Sequence, residues 1–211
     1  AAQHGFVWSA SGGLTDLGVP AGGSASEAVA INAAGTIVGT STVDGSPRAW
    51  VGTAGALVDL HDPVWAASRP IAINDAGQVL LVASVLGPDD RVFRWDPSEG
   101  LLAVGDGSQA LVATALSPVG VVVGGVDGGG AFTWDGTMTS TTPLAALDGD
   151  EVMAIATGIN ARGDVVGVSA TRSRIVNTSR IAGLSPMMPK RALPSFAGGA
   201  AMSRVASAFE R

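Results

Sequence analysis

No cysteine occurs among the 211 residues, which excludes disulfides and thiolate metal sites. The two histidines, His4 and His61, lie far apart and form no His-x-x-x-His pair, so no zinc motif is present. Serines are numerous, yet none stands in Gly-x-Ser-x-Gly, and an acyl-transfer triad has no local support. No uninterrupted apolar run approaches the roughly 18 residues that cross a bilayer as a helix. No signal-peptide pattern appears, and the opening Ala1-Ala2-Gln3 fits a terminus left by cleavage after a small residue. Charged residues make up only 14% of the chain, whereas glycine is plentiful at 30. With abundant Val and Ala, that composition describes short strands punctuated by turns.

Charge divides the chain in two. Residues 1–170 hold 17 acidic against 5 basic side chains, a net of −12; residues 171–211 hold 1 against 7, a net of +6. An acidic body is a poor match for nucleic acid, whose phosphates need a basic surface. The expected organisation is therefore a body over 1–170 and a basic C-terminal extension over 171–211.

The body is built from a recurring block of about forty residues. One anchor is aromatic: His4-Gly5-Phe6-Val7-Trp8, Arg48-Ala49-Trp50-Val51-Gly52, Arg91-Val92-Phe93-Arg94-Trp95 and Gly130-Ala131-Phe132-Thr133-Trp134. The other is a turn: Ile31-Asn32-Ala33-Ala34-Gly35, Ile73-Asn74-Asp75-Ala76-Gly77, Leu116-Ser117-Pro118-Val119-Gly120 and Ile159-Asn160-Ala161-Arg162-Gly163. Successive turns lie 42, 43 and 43 residues apart. Around these anchors four short apolar strands fit in each block, here called a to d, with the Asn turn between a and b. Four strands per block is the size of a propeller blade. The chain starts with c and d and finishes with a and b, so joining the two halves closes a ring. The expected fold is all-β, a propeller of about four four-stranded blades, followed by an irregular or short-helical tail. A half-ring that pairs with a second copy is the alternative.

At these residues the chain resembles the HAF-repeat family of secreted bacterial proteins. Its blocks combine a His-or-Arg, small, Phe, any, Trp opening with an Ile-Asn-any-any-Gly-any-Val-Val-Gly turn. His4 to Trp8 and Ile31 to Gly39 follow that pattern, and Ile159 to Gly167 matches its turn half. The third block departs with Leu116-Ser117-Pro118, and the second places Trp50 and Gly52 where Phe and Trp are expected. The resemblance spans residues 4–169. It implies a secreted, propeller-like module and supplies no catalytic residues.

Most conspicuous residues are explained by the repeat. Asn32, Asn74 and Asn160 stand three before a glycine, where Asn bonds its own backbone and Gly takes positive φ. Phe6, Trp50, Phe93 and Phe132 recur once per block, as packing between blades requires. Departures from the repeat are more suggestive of function. Trp65 is the only tryptophan outside the aromatic anchors. It sits in a d-to-a loop with His61, Asp62 and Arg69, on the face expected to carry Asp44, Asp89, Asp90 and Asp127. An aromatic plane beside carboxylates and a guanidinium can stack a sugar ring and bond its hydroxyls. The competing reading is that Trp65 caps a blade edge while His61 and Asp62 start a turn. Asp148, Asp150 and Glu151 place three acids in four residues, oxygen ligands that suit Ca²⁺, or form only a solvated acidic turn. No other cofactor is indicated.

The basic extension has two readings: a segment that folds back on the acidic body, or an arm for self-association. Met202, Val205, Ala206 and Phe209 fall at helical steps within it. The function expected is that of a secreted, extracellular, non-enzymatic module that binds a protein partner or glycan through its acidic loop face, within an extracellular assembly or alone. An extracellular polysaccharide hydrolase or lyase using loop carboxylates is the alternative.

Overall fold

Each polar turn in the sequence separates two extended, Val- and Ala-rich runs, and a computed structural model pairs those runs into antiparallel sheets. It describes residues 3–85, 90–127, 129–137, 140–145 and 151–171, all within the first of two units, Ala1–Thr171 and Arg172–Arg211. The second unit lies outside the described residues, and both readings of the basic extension fall there. The described residues contain sixteen strands and no helix, and hence no helix long and apolar enough to cross a membrane.

The strands form five sheets. A two-stranded sheet, β1 (Gly5–Ser9) and β2 (Gly13–Gly18), comes first. Three four-stranded sheets follow: β3 (Ala25–Ile31), β4 (Ile37–Val43), β5 (Ser46–Thr53) and β6 (Ala56–Asp59); β7 (Ala67–Ile73), β8 (Val79–Ser84), β9 (Asp90–Asp96) and β10 (Gly100–Ala103); β11 (Leu111–Leu116), β12 (Val122–Val126), β13 (Ala131–Trp134) and β14 (Thr142–Pro143). A second two-stranded sheet, β15 (Glu151–Ile159) and β16 (Val165–Thr171), ends the series. The expected strand order is therefore present, with c and d at one end, a and b at the other and three complete sets between. The two half-sheets stand as separate sheets.

Register is set by the turns. Asn32 Oδ1 accepts from the backbone N–H of Ala34 and Thr36 at 3.1 and 2.9 Å, and Gly35 takes φ 80°. The amide nitrogen has a second task. Asn32 Nδ2 donates to the carbonyl of Asn74 at 3.0 Å, and Asn74 Nδ2 to that of Ser117 at 3.0 Å. One sheet is thus tied to the next at equivalent turns. The tie stops where the repeat departs, because the Ser117 hydroxyl serves its own turn by accepting from Val121 N–H at 2.9 Å. Asn160 Nδ2 bonds Asp164 of its own turn at 2.8 Å.

The core lies between successive sheets. The b strands β4, β8 and β12 are its centre, with Val38, Val79, Leu80, Leu81, Val122 and Val123 fully buried. Burying each such side chain is worth roughly 1.5–3 kcal/mol. Every a strand carries an irregularity at the same repeat position, between Ala28/Ala30, Pro70/Ala72, Ala113/Ala115 and Ala156/Gly158. Such a bulge bends the strand toward its neighbour. A Cβ on Gly39 would come within 2.1 Å of both the Glu27 carbonyl and the Trp50 ring, so only glycine fits there. Trp50 and Phe132 are fully buried, as inter-sheet packing requires, and Phe93 partly so. Phe6 and Trp8 depart from that expectation: they are exposed, because β1 has no b strand beside it.

Candidate functional site

The antiparallel register brings two kinds of connection to one end of the sheets. Ala25 pairs with Thr42 and Ala67 with Ser84, so each a strand begins beside the end of the b strand that follows it in its own sheet. The d-to-a loops therefore share an end with the b-to-c turns, which bear Asp44, Asp90 and Asp127, all exposed. Asp44 sits at φ 51° and Gly45 at φ 80°, the positive pair that an Asp-Gly hairpin turn requires.

Between neighbouring sheets this end forms a cleft that occurs twice. One cleft, about 130 Å³, is lined by Pro47, Ala67, Ser68, Arg69, Val82, Ser84 and Asp90. The other, about 100 Å³, is lined by Gln3, Ala25, Ser26, Glu27, Thr40 and Thr42, largely the same positions one repeat earlier. The serines at the back of the clefts hold the sheets together. Ser26 Oγ accepts from Gly5 N–H at 2.9 Å and donates to the Gly18 carbonyl at 2.5 Å. Ser68 Oγ accepts from Ala49 N–H at 2.9 Å, but its second partner is His61 Nδ1 at 2.9 Å. His61 occupies the repeat position of Gly18 and supplies a ring where the first strap uses a carbonyl.

This network engages the imidazole through Nδ1. Ser68 Oγ, with one lone pair taken by Ala49, keeps both its proton and a second lone pair for Nδ1, so the direction of this bond follows the ring tautomer. Burial pushes the His61 pKa down, and the charge of Arg48 pushes it further, so the ring is neutral at pH 7. Arg48 Nη1 stands 4.0 Å from Asp59 Oδ2, the same c-to-d pairing that His4 and Asp16 make at 2.8 Å. The basic residue that opens each of the first two blocks thus has an acidic partner on strand d. Ser68 is 1% exposed with its hydroxyl engaged, so it cannot serve as a nucleophile in this arrangement.

The four loop candidates are only partly brought together. His61 meets Trp65 edge to face with centroids 5.9 Å apart, and Trp65 packs on Phe93 at 4.7 Å. At 8% exposure the indole is a wall of the core, and it presents no open face for stacking a sugar. Asp62 folds onto its own loop, accepting from Val64 N–H at 3.0 Å while its carbonyl takes Trp65 N–H. Arg69 belongs to β7 and not to the loop; it is exposed and lines the larger cleft with Asp90. Asp90 in turn accepts from the Ser84 hydroxyl at 2.6 Å. The calcium candidates Asp148 and Asp150 lie outside the described residues, as does the side chain of Glu151. Among the described residues no group of three or more His, Asp or Glu converges.

Three structural residues escaped the sequence reading. Ser26 and Ser68 recur 42 residues apart, a signal that was present but lay outside both anchors. Arg94, only 6% exposed, sits over the Trp134 ring at 4.9 Å and donates through Nη1 to the Gly120 carbonyl at 2.8 Å. Its signal was a cation between Phe93 and Trp95, where the other blocks carry Val7, Val51 and Thr133. Compared with known proteins, the chain matches no family model and no curated sequence.

Proposed function

We propose that the chain is a secreted, non-enzymatic propeller module of the HAF-repeat kind that binds a protein partner or a glycan through its acidic loop end. The three four-stranded sheets are its blades, and the half-sheets β1–β2 and β15–β16 are the two parts of a fourth. The observation that carries the binding reading is the shared end: exposed Asp44 and Asp127 on b-to-c turns lie at the same end of the sheets as Arg69 and Asp90, which line the larger inter-sheet cleft. Clefts of about 130 and 100 Å³ fall short of the roughly 300–1,000 Å³ of small-molecule pockets. Surface recognition of a polymer or a protein suits them better.

Asp16, Asp96, Asp106, Asp135 and Asp164 are all held below the usual carboxylate range. The leading causes are hydrogen bonds from His4, Ser98, Ser108, Thr137 and Asn160 respectively. A glycosidase acid needs the opposite shift. No observation on the described residues therefore favours the hydrolase or lyase alternative.

The test is binding of the whole chain to an array of polysaccharides and cationic peptides, with turnover measured in parallel. Binding that weakens in Arg69→Ala and Asp90→Ala, with no new reducing or unsaturated ends, is the expected result. Silence on every probe, or cleavage of any polysaccharide, overturns the proposal.

A further inference from the structure

Two strand edges in this fold are built for pairing and have no strand partner among the described residues. β1 has only β2 beside it, and β16 only β15. In the complete sheets the corresponding strands, b and c, are hydrogen-bonded to each other as β4–β5, β8–β9 and β12–β13. Natural sheets blunt exposed edges with charges or proline. Here β1 reads Gly5-Phe6-Val7-Trp8-Ser9, and β16 reads Val165-Val166-Gly167-Val168-Ser169-Ala170-Thr171, with neither device in either strand. Phe6 and Trp8 are 58% and 64% exposed, and Val166 and Val168 are 66% and 62% exposed.

We infer that this chain self-associates by edge pairing, the β16 strand of one copy docking against β1 of a second copy and the reverse. The inference rests on the blade reading above and names what completes the fourth blade. The three internal b–c pairs specify the register. Ile37, Val79 and Val122 oppose Gly52, Trp95 and Trp134; two residues on, Gly39, Leu81 and Gly124 oppose Trp50, Phe93 and Phe132. Carried over by the repeat spacing, Val165 opposes Trp8, Val166 opposes Val7 and Gly167 opposes Phe6. Gly39, whose missing Cβ leaves room for the Trp50 ring, thus has its counterpart in Gly167 opposite Phe6.

A second copy is the occupant because this chain carries both complementary edges in this register, while within one copy β1 and β16 belong to separate sheets with no ladder between them. Strand addition of this kind draws its affinity from main-chain hydrogen bonds and its specificity from alternate side chains. Each copy brings three whole sheets and two halves, so a reciprocal pair completes eight blades. That lies within the roughly four to eight of closed propellers. The interface is head-to-tail, and reciprocal exchange between two copies closes it, whereas one-way exchange would propagate a fibre.

The experiment is light scattering on the full chain, expected to give twice the 20.8 kDa of one copy. Val166→Asp and Phe6→Asp should each yield monomers, with near-native circular dichroism because both side chains are exposed in the single chain. Mixing the two variants should restore dimers, since one intact β16 then meets one intact β1. A wild-type monomer, or a mixture that stays monomeric, overturns the inference. The absence of native cysteine permits a second arm, oxidation of the Val7→Cys/Val166→Cys double variant. A cross-linked dimer supports exchange between copies. A cross-linked monomer overturns it while preserving a propeller closed within one chain, and no cross-link overturns both.

Discussion

Val38, Leu80, Val123 and Val166 occupy one position of the repeat, each in the second residue of a b strand. The first three are 0% exposed and the last is 66% exposed. The aromatic anchors divide in the same way: Trp50 and Phe132 are 0% exposed and Phe6 is 58%. Nothing in the local residues distinguishes the two groups. The difference is supplied by neighbours, because an inner b strand is paired on both edges and covered by the next sheet, while β16 and β1 each have a single strand partner among the described residues. A repeat residue therefore has no fixed energetic value. Its contribution depends on whether the adjoining unit is present.

The sharpest way to break this comparison is to truncate the same anchor in both settings. Trp50 packs against Leu17 and Ile37 and lies over Gly39, so Trp50→Ala should destabilise by about 3–5 kcal/mol in urea unfolding. Phe6→Ala should cost no more than about 0.5 kcal/mol where the chain is monomeric. If edge pairing occurs, the Phe6→Ala penalty grows with protein concentration, since association stabilises the folded state by mass action. The Trp50→Ala penalty should not grow in that way. Equal losses at high dilution would mean that Phe6 is covered in the monomer.

The Asn turns allow the same comparison at smaller amplitude. Asn74 is 7% exposed and its amide reaches across to the Ser117 carbonyl, whereas the Asn160 amide returns to Asp164 in its own turn. Asn74→Ala should cost about 1–3 kcal/mol, because it strands a buried carbonyl as well as losing the turn bond. Asn160→Ala should cost roughly 0.5–1 kcal/mol by the same reasoning for an exposed bond. Asn74→Asp keeps the turn acceptor and loses only the donor. It separates the two tasks, and stability equal to wild type would show that the sheet-to-sheet tie carries no weight.

Much of this architecture was legible in the residues. The Asn and Gly spacing, the Val-Val-Gly runs and the incomplete blocks at either end led to all-β sheets in the order c–d, three complete sets, a–b. Those features are local, and a repeat states them several times over. What could not be read was relational. The Asn amide bond to the next turn depends on how two sheets dock, and so does the Ser68 strap. Trp65 looked like a ligand platform because it broke the pattern, yet an indole outside the anchors can equally fill the gap between Phe93 and His61. Arg69 reads as part of the d-to-a loop, whereas β7 begins at Ala67 and carries its bulge at Pro70, where proline is compatible with a strand.

The finest comparison is between the two serine straps, which differ in how they respond to acid. Ser26 ends on the Gly18 carbonyl, an acceptor at any pH, while Ser68 ends on His61 Nδ1, a titratable ring nitrogen. Burial and then the Arg48 charge hold the folded His61 pKa below its ordinary value of 6.5. The unfolded chain therefore binds this proton more readily than the folded one, so stability contributed by neutral His61 is present above 6.5 and declines as the pH falls through and below that value. The depressed carboxylates act in a separate window. Their contribution is present above 3.8 and is lost only as the pH falls below that value toward their folded pKa values. Urea unfolding between pH 7 and 5 should show a shallow loss of stability that His61→Gln removes, with the acid limb below 3.8 unchanged. A slope that persists in His61→Gln would remove the distinction between the straps and place the sensitivity at another group.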